Sequence, residues 1–401
     1  MWAQLYPERR KSYTELIVTN SREILLKLVR LAMGWEHDYT LSEEVNWPEV
    51  FNMAVKQGVS AIILDGYEVL AQKNPDANGG LLLLENKELL LQAIGQVPLV
   101  EATYKQHVVA LKELGETLHN AGIPFLLMKG FACGRYYPNP MHRECGDIDI
   151  YPGDKYIECN EAIKDSGVNV DPYYYRHSAS FVKGVMVENH KVLCDLRGPR
   201  KQTKALEAQL EKEGINSISE GKDVIIDGMS IPGAKYPTAN FNALFLPWHV
   251  SAHFMFERVT VRHLLDWALF LSNEGKDIDI EMFREAKNQY TYGYSKFADI
   301  LTALSMKYLN MPTETIPLPI IQDALNVDLE LVSKVWNYMF EGKPKARDKY
   351  LWKERWNNVK RVWRERWKYH KLYEIGVDKL MLYKIKGVFF NEDEHEDNET
   401  I

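Results

Sequence analysis

Cysteine is scarce in this chain: four among 401 residues, at Cys133, Cys145, Cys159 and Cys194, with no CxxC pair among them. That pattern carries no redox or metal motif, and a reducing cytoplasm is the expected setting. The N-terminal stretch MWAQLYPERRKSYTELIV has no apolar signal-peptide core. Long apolar runs are also missing. A bilayer span needs roughly 20 apolar residues, and even FNALFLPWHV is interrupted by Pro247 and His249, so no transmembrane segment is expected. The net charge of -7 excludes a binder that holds nucleic acid by overall charge alone. No internal repeat is visible. What remains, with 46% hydrophobic and 26% charged residues, is the composition of a folded chain long enough for two or three domains.

The apolar pattern divides the chain into three parts and a tail. Over residues 1–120 it is helical, as in REILLKLVRLAMGW, WPEVFNMAVKQGVSAIILDGYEVL and LLLLENKELLLQAIG. Over 121–235 it changes to short β-type runs punctuated by Gly, Pro and Asp: IPFLLMKG, GDIDIYP, a pair of strands across Gly184, and DVIIDGMSIPG. Helical spacing returns over 236–390, and the acidic tail NEDEHEDNETI fills 391–401.

Chemistry concentrates in the middle part. GDIDI places Asp147 and Asp149 two apart on a strand, so both carboxylates share one face while Ile148 and Ile150 pack on the other. Two like charges that close call for a cation, and a hard divalent ion such as Mg2+ takes oxygen ligands. Upstream, the strand Phe125–Met128 runs into Lys129-Gly130, where glycine permits a sharp turn, and a short helix over 131–137 would aim free N–H groups at a phosphate. Lys129 and Arg143 add positive charge; alternatively Lys129 is a solvated strand-end lysine and Arg143 pairs with an acidic neighbour. A helix over 155–165 follows. Alternation beyond Gly184 puts Met186, Glu188 and His190 on one face, which makes Glu188 the third carboxylate, with Asp195 as its rival. His190 either lines the site or packs.

In that order, Lys129-Gly130, Tyr136-Tyr137-Pro138, Arg143, GDIDI and Glu188-Asn189-His190 resemble the uncharacterised bacterial nucleotidyltransferases of the DNA-polymerase-beta-like superfamily. The likeness is best over residues 125–190. It implies an α+β fold, a nucleotidyltransferase-type mixed sheet flanked by helical N-terminal and C-terminal regions. It also implies transfer of a nucleoside monophosphate from an NTP such as ATP to an acceptor hydroxyl, with release of pyrophosphate. Asp147, Asp149 and Glu188 would hold one or two Mg2+ ions, Glu188 would help deprotonate the acceptor, and Lys129, Gly130 and Arg143 would face the phosphates. Where the superfamily usually has Gly-Ser or Gly-Gly at the first turn, this chain has Lys129-Gly130. A different class of function uses the same parts: a catalytically idle nucleotide-binding or protein-interaction module.

Two further features flank this segment. His249 and His253 lie one helical turn apart, a zinc-compatible spacing, but the Glu of HExxH is absent and a core or domain-contact role is the simpler reading. In RHLLDWALFL, Arg262 and Asp266 are expected to dock their helix against the α/β part. Residues 343–386 carry 15 Lys and Arg against five Asp and Glu, interleaved with Trp352, Trp356, Trp363 and Trp367. That composition suits nucleic acid or an anionic membrane, and equally a packed helix with a solvated basic face.

Overall fold

The computed structural model describes residues 13–41, 45–73, 87–171, 176–194, 200–256, 259–290, 293–340, 357, 359–361 and 363–373. Asp195, Trp352, Trp356 and the acidic tail lie outside them. Among the described residues the fold is mixed α+β, a seven-stranded sheet with helices from both ends of the chain around it.

Four helices come first: α1 (Tyr13–Ala32), α2 (Trp47–Gln57), α3 (Ser60–Lys73) and α4 (Lys87–Asn120). The start of α2 follows local rules: Pro48 sits in the first turn, and the Asn46 side chain accepts from the N–H of Glu49 at 3.2 Å. Its end is set by Gly58, left-handed at φ 67°. Strand β1 (Phe125–Met128), the short helix α5 (Lys129–Gly134), β2 (Asp147–Tyr151), α6 (Tyr156–Asp165), β3 (Val170–Asp171), β4 (His177–Val182) and β5 (Val185–His190) follow. Helix α7 (Arg200–Glu220) then leads to the hairpin β6 (Asp223–Ile226) and β7 (Met229–Lys235). The strand order is β3-β4-β5-β2-β1-β7-β6. The central strand β2 is antiparallel to β1 and parallel to β5, and β1 is parallel to β7.

Alternation along these strands sends their two faces into different cores. Phe125, Leu127, Ile148, Ile150, Val185 and Val187 pack with Leu111, Leu114 and Leu118 of α4 and Cys159 and Ile163 of α6. Leu126, Met128 and Tyr151 turn the other way, toward Leu206 and Leu210 of α7 and the C-terminal helices. Helix α4, helical by its own periodicity, thus forms a layer of the sheet domain.

The C-terminal part comprises α8 (Ala239–Phe256), α9 (Val261–Glu274), α10 (Ile280–Gln289), α11 (Ser295–Leu309), α12 (Leu318–Leu325), α13 (Leu329–Phe340) and α14 (Arg366–Lys371). It shares one apolar cluster with α1 to α3. Gln57 ties the two ends together, donating to the carbonyl of Met339 at 3.0 Å and accepting from the N–H of Val261 at 2.9 Å. Of the basic, Trp-bearing segment, two tryptophans can be placed. Trp367 packs against Phe254 and Tyr338, whereas Trp363 is 55% exposed with the Arg366 guanidinium over its ring. No described helix is long and apolar enough to cross a membrane.

Candidate active site

The site forms where β2 and β5 run side by side. Register pairs Asp147 with Met186 and Asp149 with Glu188, so the odd residues of β2 and the even residues of β5 present one shared face. Ligand oxygens of Asp147, Asp149 and Glu188 lie within 4.8 Å of one another, the three acids expected from the sequence. Asp149 is buried, and Asp147 and Glu188 are partly so.

Lys129 reaches this face from the end of β1. Its Nζ donates to Oδ1 of Asp149 at 2.5 Å. Its backbone is left-handed at φ 45°, an arrangement that costs a residue with a Cβ about 1–2 kcal/mol and that aims the ammonium across the strand. Gly130 follows because nothing larger fits: an added Cβ would stand 2.7 Å from Sγ of Cys145 and 3.0 Å from Nη1 of Arg143.

The charges are not equivalent. Burial raises the Asp147 carboxyl, the Asp149 charge adds to this, and Lys129 offsets only part, so Asp147 is pushed up to about 6. Burial alone would raise Asp149 too, but the Lys129 ammonium and the His190 hydrogen bond outweigh it and hold Asp149 below the usual carboxylate range. Glu188 is likewise held below its usual range, with burial outweighed by the nearby His190 and the Lys129 charge. Lys129 is raised, since Asp149 and Glu188 more than compensate for its burial.

His190 lines the site, its Nε2 2.8 Å from Oδ1 of Asp149 and 3.5 Å from Oε2 of Glu188. Asn189, between the two, points to the opposite face and donates to Oδ1 of Asn160 on α6 at 2.9 Å. His177 is the member that motif reading passed over. Lys183 and Gly184, both left-handed at φ 49° and 79°, form a two-residue hairpin turn between β4 and β5. Counting outward from that turn pairs Val182 with Val185 and His177 with His190, so the signal was present in the sequence.

Arg143 faces the same cavity with its guanidinium engaged. Nη2 donates to Oδ2 of Asp266 at 2.6 Å, Nε donates to Oδ1 at 3.1 Å, and Nη1 donates to the carbonyl of Glu144 at 3.0 Å. Tyr137 donates its hydroxyl to the same Asp266 at 2.7 Å. Asp266 therefore anchors α9 to the sheet domain.

Helix α8 supplies the far wall. Phe245, Trp248, His249 and His253 close over the carboxylate face and leave a cavity of about 340 Å3. The two histidines lie Nε2 to Nε2 at 3.1 Å, and burial first, then His253 and Lys129, hold His249 well below its usual range. They belong to the cavity wall, on the helix that faces the sheet.

A mixed sheet with a three-acid face, roofed by helices, is the architecture of this protein. Residues 43–309 match the model of a family described as uncharacterised nucleotidyltransferase; that is more than half of the chain, and the chain belongs to this family. It is a transferase by family, one whose substrate is a nucleotide. No curated protein and no solved structure matches the chain.

Proposed function

We propose that the protein is a divalent-metal-dependent nucleotidyltransferase of the DNA-polymerase-beta-like superfamily, moving a nucleoside monophosphate from an NTP to an acceptor hydroxyl with release of pyrophosphate. One observation carries this reading: three carboxylates converge within 4.8 Å on one sheet face that lines a cleft of about 340 Å3, with a lysine at their edge.

The donor set fits a hard cation, because oxygen ligands are what Mg2+ prefers and because three carboxylates stand together with the ammonium of Lys129 on one of them. Asp147, Asp149 and Glu188 would hold one or two such ions, which supply charge neutralisation and polarisation of the transferring phosphoryl group. The rest falls to the chain. Lys129 and His190 both contact Oδ1 of Asp149 and hold that carboxylate in place. Glu188, held ionised, accepts a hydrogen bond from the acceptor hydroxyl and orients it. Gly130 lets the triphosphate approach the backbone, and Arg143 acts by holding the cavity wall through Asp266. Catalysis is then mostly positioning and charge placement.

Thermal melting tests the site. NTP with Mg2+ is expected to raise the melting temperature of the wild type and not that of Asp147→Asn or Asp149→Asn; equal shifts in all three would remove the assignment. Turnover is read separately, by incubating labelled NTPs with cell extract. Absence of Asp147-dependent labelling would leave an idle nucleotide-binding module.

A further inference from the structure

We infer that the sheet face carries a second cation position, built from His177, Glu188 and His190 and suited to a borderline transition-metal dication of the Mn2+ or Zn2+ kind. It shares Glu188 with the carboxylate triad but rests on its own geometry, and it does not require nucleotidyl transfer to be the activity.

The three side chains stand on two hydrogen-bonded strands, His177 directly opposite His190 and Ala179 opposite Glu188. Their ligand atoms lie within 4.8 Å of one another. Nε2 of His177 is 3.4 Å from Oε1 of Glu188, and Nε2 of His190 is 3.5 Å from Oε2. Both exceed the roughly 2.7–3.2 Å of a good N–H···O hydrogen bond. They equal the separation of two ligands on one ion in tetrahedral geometry, about 3.4 Å at ordinary ligand lengths of about 2.1 Å. The two oxygens of Glu188 thus face different imidazoles, as a carboxylate does when it serves more than one partner.

Ligand chemistry separates this position from the three-carboxylate one. Mg2+ binds oxygen and leaves imidazole alone, whereas Mn2+, Co2+ and Zn2+ accept imidazole nitrogen readily. Occupation has a local consequence. Nε2 of His190 now lies 2.8 Å from Oδ1 of Asp149, and a nitrogen that gives its lone pair to an ion no longer donates there. Asp149 then keeps Lys129 as its partner. One face therefore offers a hard and a softer position bridged by Glu188.

The test titrates the full chain with MnCl2 and reads electron spin-echo modulation from imidazole nitrogen. The wild type is expected to show that modulation even in a large excess of Mg2+, and Asp147→Asn is expected to retain it. His177→Gln and His190→Gln are each expected to show weaker modulation and to bind Mn2+ about 10-fold more weakly or worse, as loss of even an outer-shell partner costs 10–100-fold, and the double variant is expected to lose the modulation. Metal-free melting curves and the milder His177→Asn confirm that the variants fold. No nitrogen modulation in the wild type, or modulation that survives in the double histidine variant, would overturn the inference. Modulation without any Asp147-dependent thermal shift by NTP would sink the transferase reading and leave this site standing; the reverse result would sink this site alone.

Discussion

Glu207 is a buried acid held by backbone N–H groups. Its two oxygens accept the backbone N–H groups of Leu193 and Cys194, just beyond the end of β5. Burial pushes its carboxyl up more than those two hydrogen bonds pull it down, to about 7. The folded chain therefore binds this proton more tightly than the unfolded chain does. Stability from this group is full below the ordinary carboxylate range and is lost as pH rises toward 7, by about 3 kcal/mol at most. Melting temperatures measured between about pH 5 and pH 8 should fall for the wild type relative to Glu207→Gln as pH rises. Parallel curves would show that Glu207 titrates normally. At the same scale, Asp147, Asp149 and Glu188 were readable from the sequence because strand alternation puts such side chains on one face, and Lys129 because it directly follows a strand. The partner of Arg143 was not, since Asp266 is 123 residues away and only packing joins them.

Between elements, α1 packs closely against α3. Gly66 is the contact point: a Cβ there would stand 1.8 Å from the carbonyl oxygen of Leu28. Backbone does not yield as a flexible side chain can, so Gly66→Ala must push the helices apart. It should cost at least the upper part of the usual overpacking range of about 1–3 kcal/mol, read as a lowered denaturation midpoint with unchanged slope. A variant as stable as the wild type would mean that the helices can slide. The strands β1, β2, β4 and β5 were readable from period-two patterning and the turns at Gly130 and Gly184. Helix α7 was not announced in the same way, because it lies among the short β-type runs of the middle segment. The two-residue β3 is too short to leave a pattern.

Across the whole molecule, the pair Arg143 with Asp266 joins the sheet domain to the C-terminal helices, and both residues are buried. Removing one partner strands a buried charge, so Arg143→Met or Asp266→Leu alone should each cost about 3–5 kcal/mol. The double replacement should recover most of that loss, because an apolar pair of similar volume leaves no charge unpaired. Additive losses in a double-mutant cycle by chemical denaturation would show that the two do not act together. During synthesis Arg143 emerges long before Asp266. Until α9 has left the ribosome, Arg143 lacks its Asp266 partner and the side of the cleft lined by Arg262, His263 and Asp266 is missing. The order of translation therefore sets the earliest point at which the site can be complete.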